Sequence, residues 1–229
     1  MSNSHDALEE VRAQIRAAEL EFGRDPGSVQ LIAVSKTKPT EQIRAVYDAG
    51  QRDFGENYLD EALGKIDALG DTASIWHFIG HIQSNKTRPI ASHFAWAHCI
   101  DREKIARRLS DQRPDGMQPL NICIQVNIDG EDTKAGVSPE EVCPLAESIM
   151  SLPKVRLRGL MVIPAPREGF EAQREPLART RELYQQLQAD HPGLDTLSMG
   201  MSGDMRAAIA EGATMVRIGT AVFGARPPK

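Results

Sequence analysis

The stretch Leu31-Ile32-Ala33-Val34-Ser35-Lys36-Thr37-Lys38-Pro39 decides the reading of the chain. Its first four residues are a short apolar run of the kind that makes a strand buried on both faces. Lys36 sits where that run stops, ahead of a proline and of Thr40, which can cap a following helix. The ordinary reading of such a lysine is a solvated charge closing a strand. The sharper one is an amine held at the rim of a core and placed for chemistry.

Working outward, strand and helix signals alternate along the whole chain. An apolar series Leu8, Val11, Ile15, Ala18 and Phe22 follows one helical face and stops at Gly23, so a helix precedes the first strand. Beyond Lys36, the spacing predicts a helix with Ile43, Val46 and Tyr47 inward, then a short strand at residues 52–57 with Asn57 at its exit. A helix to about Leu69 is followed by a strand at 75–80, a helix from about Gln83, a strand at 94–100 and a helix opened by Asp101 with Ile105 and Leu109 inward. The clearest strand is 121–127. Ser138-Pro139-Glu140-Glu141 reads as a capping box with proline at the first helical position. A strand at 157–163, a long polar helix over 169–190, a strand at 194–199, a helix starting at Ser202 and ended by Gly212, a last strand at 215–218 and a tail at 226–229 complete the series.

About eight strands and eight helices, unbroken by any linker, predict a single (β/α)8 barrel domain over residues 1–229, near the lower size limit of that fold. A doubly wound open sheet is the alternative, but no predicted strand is followed by its glycine-rich dinucleotide turn. In a barrel, the active site lies at the C-terminal ends of the strands, where Lys36, Asn57, Met199 and Thr220 fall.

Composition narrows the partners. The chain has 229 residues, 41% hydrophobic and 26% charged, an ordinary globular balance that excludes disorder and fibres. A net charge of −5 leaves no electrostatic footprint for nucleic acid. The N-terminus carries no basic-then-apolar leader and no run reaches membrane-spanning length, so a cytoplasmic protein with no membrane partner is expected. Cys99, Cys123 and Cys143 are widely spaced and read as buried small hydrophobes, and His77, His81, His93 and His98 lack the spacing of a metal site, so no metal is expected. No strong apolar patch marks a dimer, and a monomer is expected.

Two stretches near the end form the strongest constellation: Ser198-Met199-Gly200-Met201-Ser202-Gly203-Asp204 and Arg217-Ile218-Gly219-Thr220. In barrels, the loops after strands seven and eight often build a phosphate site from backbone N–H groups at a helix start. Ser202 and Gly203 would supply that start, Gly219 a close backbone approach and Thr220 a hydroxyl. Arg217 interrupts an apolar strand with a charge that is costly to bury unpaired, so it needs either a carboxylate, such as Asp204 or Glu211, or a ligand atom in the barrel mouth. A lysine able to form a Schiff base, a phosphate cup and an arginine between them outline pyridoxal 5′-phosphate (PLP). Lys38, Lys86 and Lys134 are rival amines, read as solvated.

The chain also resembles the YggS/PROSC family of pyridoxal phosphate homeostasis proteins along nearly its whole length. The resemblance is carried by residues 31–39, Phe54-Gly-Glu-Asn57, Trp76-His-Phe-Ile-Gly80 with Gln83-Ser-Asn-Lys86, Arg158-Gly-Leu-Met161, 197–202, and 215–220 with Phe223-Gly224. Gly80-His-Ile-Gln83 departs from the Gly-Pro-Leu-Gln form of some members, which bears on local loop shape. The resemblance implies an alanine-racemase-like barrel of fold type III, without the racemase's second β-domain. It implies that Lys36 is the PLP lysine, that Ser202, Gly203, Gly219 and Thr220 hold the phosphate, that Arg217 faces the pyridine nitrogen, and that Asn57 lines the pocket with His77 and Met199 as neighbours. PLP carriage without robust turnover is the expected function, with free amino acids and PLP-dependent apoenzymes as further partners. A PLP-dependent amino-acid racemase is the alternative, for which Tyr58 is the one tyrosine placed to reach the pocket. A class I aldolase would explain the phosphate cup but not Arg217.

Overall fold

In the computed structural model, residues 4–131 and 133–225 are described; the tail expected at 226–229 lies outside them. Helix α1 (Ser4–Glu21) leads into β1 (Gln30–Val34), and the alternation then runs α2 (Thr40–Asp48), β2 (Asp53–Glu56), α3 (Leu59–Ala68), β3 (Ile75–Phe78), α4 (Thr87–His93), β4 (Trp96–Ile100) and α5 (Glu103–Gln112). It continues with β5 (Leu120–Val126), α6 (Val142–Met150), β6 (Val155–Val162), α7 (Phe170–Asp190), β7 (Thr196–Ser198), α8 (Met205–Ala210), β8 (Met215–Ile218) and α9 (Thr220–Phe223). The eight strands are parallel and close into a barrel in chain order. Closure is the pairing of β1 with β8, which sets Ile32 beside Arg217 and Ala33 beside Ile218. No helix among the described residues is long and apolar enough to cross a membrane.

The apolar pattern of the sequence accounts for a two-layered core. The outer layer lies between strands and helices and takes Leu8, Val11, Ile15, Ile43, Val46, Ile105 and Leu109, all buried. The inner layer, inside the barrel, is a small separate cluster of Ile32, Trp96, Cys99, Cys123, Met161 and Met215. Burial pushes the Cys99 thiol up to about 12 and Cys123 higher still, so both behave as small apolar groups. Cys143, on α6, is only half-buried and packs against the edge of the outer core.

The helix starts depart from expectation in three places and agree in a fourth. Pro39 occupies the cap position of α2 and Thr40 is its first residue, with no side-chain cap. Asp101 does not cap α5; its carboxylate pairs with Arg102 at 2.9 Å, and Arg102 takes the cap position. Helix α8 begins at Met205, not Ser202, because Asp204 Oδ1 accepts the Met201 N–H at 2.6 Å and closes a turn that must finish before the helix can start. Ser138 does form its capping box, reciprocated by Glu141 Oε2 at 2.9 Å, over a 3-10 turn that runs into α6.

Candidate functional site

Lys36 stands at the corner of a tight turn after β1, closed by the Lys38 N–H donating to Ser35 O at 3.1 Å. The next residue, Thr37, has φ 63°, the one positive φ outside glycine among the described residues. A β-branched residue there stores of the order of 1–3 kcal/mol and persists only if its surroundings over-determine it. They do. The Thr37 N–H donates to Glu61 Oε1 at 2.6 Å, and Ser35 Oγ donates to Glu56 Oε1 at 2.6 Å. Beneath them, Lys65 Nζ donates to Ser35 O at 2.8 Å, to Glu56 Oε1 at 2.7 Å and to Glu61 Oε1. Burial raises the Glu56 carboxyl, while the bonds from Lys65 and Ser35 pull it back.

Lys38, expected in solvent, is buried: its Nζ donates to the carbonyls of Phe223, Gly224 and Ala225 at 3.1, 2.9 and 3.0 Å. It therefore ties the turn after β1 to the chain leaving α9. Lys86 and Lys134 are half-buried and paired with Asp60 at 3.1 Å and Glu131 at 2.6 Å; the Lys134 Nζ itself is shielded from solvent, against the solvated reading. The tie made by Lys38 has only a faint signature, a second lysine directly before a proline in the same turn. Lys65 was invisible for a clearer reason: Glu61 and Lys65 are four apart on α3, the spacing of a routine surface pair.

These elements enclose a cavity of about 300 Å³ at the C-terminal ends of the strands. Lys36, Asn57, Ser202, Gly203, Arg217, Gly219 and Thr220 all line it, so seven of the nine candidate residues converge there. His77 and Met199 do not. Met199 is fully buried in the outer core, and His77 sits inside the barrel, its Nε2 2.9 Å from Asp53 Oδ1 and its Nδ1 3.0 Å from His98 Nε2. Tyr58 is exposed and lines a neighbouring cleft. The variant loop residues divide simply: His81 is at the surface and Ile82 is buried. Gly80 beside them is required, since a Cβ there would lie 2.3 Å from Asn57 O.

The lining sorts by chemistry. At one end are the hydroxyl-bearing Ser202 and Thr220, exposed to solvent, with Gly219 at the cap position of α9. The first N–H groups of a helix have no partner within it, which suits an oxyanion. A Cβ at Gly203 would meet nothing within 4 Å, so the wall there is bare backbone. Arg217 is 4% exposed, and neither of its expected carboxylate partners binds it. Glu211 is taken by Arg174 and Arg181, each at 2.6 Å, outside the barrel. Arg217 Nη1 donates instead to Ser198 Oγ at 2.7 Å and Nη2 to Val162 O at 2.8 Å, and burial lowers its pKa from the ordinary value. Asn57 Oδ1 is buried with no hydrogen-bond partner, a cost that a donor group on a bound molecule would relieve. Among the described residues the lining holds two amines, Lys36 and Lys38, a guanidinium, hydroxyl donors and this orphaned acceptor, with no carboxylate, imidazole, thiol or phenol. That set fits a phosphorylated aldehyde bearing a ring hydroxyl.

Fold and site together define an alanine-racemase-type barrel: residues 7–227 match the family of the alanine racemase N-terminal domain. The chain is 58% identical over 226 residues to the pyridoxal phosphate homeostasis protein of Pseudomonas aeruginosa, covering 99% of this chain and 97% of that one. It is 52% identical over 222 residues to that of Escherichia coli K12, covering 96% and 95%. PipY of Synechococcus elongatus, solved with PLP bound, is 37% identical at a TM-score of 0.84, over 96% of this chain and all of that one. The chain belongs to the family of pyridoxal phosphate homeostasis proteins.

The buried Lys65 is the clearest test of how the Lys36 turn is held. Lys65→Met removes one partner of a buried ion pair and strands Glu56, and should destabilise the fold by about 3–5 kcal/mol in urea unfolding. Lys65→Met with Glu56→Leu, which leaves no uncompensated charge, should recover most of that loss.

Proposed function

We propose that this chain binds PLP reversibly in the Lys36 cavity, holds it as a Schiff base on Lys36, and serves PLP homeostasis rather than turnover. The observation that carries the reading is the convergence of Lys36, Arg217, Ser202 and Thr220 on one cavity in which, among the described residues, the other amine, Lys38, donates to three backbone carbonyls. Bound there, PLP supplies an aldehyde that an amine captures with loss of water and a ring that can accept negative charge. Ser202, Gly203, Gly219 and Thr220 hold the phosphate. Arg217 faces the ring nitrogen, where a cation disfavours protonation and weakens the ring as an electron sink. Asn57 lines the pocket beside the ring.

Racemisation by two bases needs a proton donor on each face of a bound amino acid. Lys36 can serve one face. The other cationic amine of the cavity, Lys38, is committed to three carbonyls, and Tyr58 lies in the adjacent cleft. The reading further takes the protein, following the family resemblance, as one barrel domain, monomeric in the cytoplasm, exchanging PLP with apoenzymes and meeting free amino acids.

Two results test this. Ser202→Ala combined with Thr220→Val should weaken PLP binding, since a hydrogen bond to a charged oxygen contributes about 1.5–3 kcal/mol, roughly ten- to a hundredfold in affinity; unchanged retention on a desalting column would sink the phosphate assignment. For turnover, PLP-loaded protein is incubated with single-enantiomer amino acids in deuterated water. A slow spectral change without exchange of the α-proton is expected; rapid exchange with inversion, lost in Lys36→Ala, would make the protein a racemase.

A further inference from the structure

Arg217 is joined to a chain of buried hydrogen bonds that crosses the barrel interior and involves no residue of the cavity lining other than itself. Its Nη1 donates to Ser198 Oγ at 2.7 Å; Ser198 Oγ lies 2.9 Å from His98 Nδ1; His98 Nε2 lies 3.0 Å from His77 Nδ1; and His77 Nε2 lies 2.9 Å from Asp53 Oδ1. The four links connect β8, β7, β4, β3 and the first residue of β2. Ser198, His98 and His77 are fully buried, while the Asp53 side chain, 13% exposed, is at the opposite end of the strands from Lys36. Trp96 stacks on the His77 ring at 5.5 Å and 12°, fixing its plane.

The two ends dictate the direction of every bond between them. Arginine can only donate and a carboxylate can only accept, so His77 must carry its hydrogen on Nε2 and offer a bare Nδ1 to His98. His98 then also carries its hydrogen on Nε2, and its bare Nδ1 accepts from the Ser198 hydroxyl, which accepts in turn from Arg217. Ser198 Oγ both accepts and donates, each ring nitrogen is used once, and none of these atoms is left unsatisfied. A charged His77 would reverse the inner links and push two donors onto Ser198 Oγ, leaving its hydroxyl hydrogen without an acceptor. Burial also lowers both histidine pKa values, which keeps the rings neutral.

We propose that Asp53, His77, His98 and Ser198 are positioning residues for Arg217: a one-way hydrogen-bond relay, anchored at its far end by a carboxylate, that fixes the guanidinium against the cofactor site. The role toward the cofactor rests on the PLP reading above; the direction of the relay does not. Two of its five N–H groups are committed to Ser198 and Val162, which fixes the guanidinium where Arg217 lines the cavity.

The test begins with protein labelled with ¹⁵N-histidine, free of PLP, at neutral pH, where ring nitrogen–carbon-bound proton correlations report the tautomer of each histidine. His77 and His98 should both be neutral with hydrogen on Nε2; either as the Nδ1–H tautomer or as imidazolium overturns the relay. PLP is then titrated into wild type, Ser198→Ala, Ser198→Thr and Asp53→Asn. Ser198→Ala should weaken PLP about tenfold and shift the visible band, Ser198→Thr should restore both, and Asp53→Asn should move both in the same direction as Ser198→Ala. Asp53→Asn, a near-isosteric change at the accessible end, decides the matter if Ser198→Ala does not fold. Unchanged affinity and band in Asp53→Asn and in whatever Ser198→Ala protein folds would overturn the positioning role. Correct tautomers in a wild type that binds no PLP would overturn the cofactor reading and the role built on it, leaving the hydrogen-bond direction standing.

Discussion

The buried ion pair between Lys65 and Glu56 is the interaction on which the site depends. It sits under the turn after β1 and takes hold of that turn through Ser35, whose hydroxyl and carbonyl are both engaged. Without it, Glu56 would be a buried carboxylate with only a hydroxyl beside it, and nothing would press Thr37 into its left-handed conformation except its own bond to Glu61. Lys36 has a defined direction because the residues on either side of it are held. Lys38 completes the clamp by reaching across to the carbonyls at the end of α9.

This clamp lies on the seam where the barrel closes. Pairing of β1 with β8 brings the turn bearing Lys36 beside Gly219 and Thr220, residues nearly two hundred positions away in the chain. The cavity is thus a product of closure: an amine from the end of the first strand, a bare glycine and a hydroxyl from the end of the last. Inside the barrel the apolar cluster is small, and its shortfall is filled by the chain from Arg217 to Asp53. The buried guanidinium is hydrogen-bonded to Ser198 Oγ and Val162 O, and Asp204 is the carboxylate whose charge acts on it.

Much of this was legible in the chain. The alternation of apolar runs with helical faces marks all eight strands, and the capping box at Ser138 is where its residues say it should be. Lys36, Arg217, Gly219 and Thr220 stand out because each sits at a strand end or breaks an apolar run. What stayed hidden was set by tertiary contacts. Lys65 and Lys38 look like surface charges until the turn and the α9 carbonyls close over them. Ser202 reads as a helix start because nothing local reveals that Asp204 will close a turn first. The family resemblance implies His77 as a neighbour of the pocket, and nothing local shows that His98 and Asp53, from the strands on either side, engage both of its ring nitrogens inside the barrel. For Arg217 the sequence offers a carboxylate or a ligand atom as partner, whereas Ser198 Oγ and Val162 O, unremarkable in sequence, are the acceptors it finds within the fold.

The central claim is that Lys36, and no other amine of the turn, holds PLP. A crystal structure of the protein grown with PLP tests it most directly. Continuous electron density from Lys36 Nζ to the cofactor, with the phosphate against Gly219 and Thr220 and the ring nitrogen toward Arg217, is the predicted result. Density joining the cofactor to Lys38 or Lys65, or a phosphate seated away from the start of α9, would contradict it.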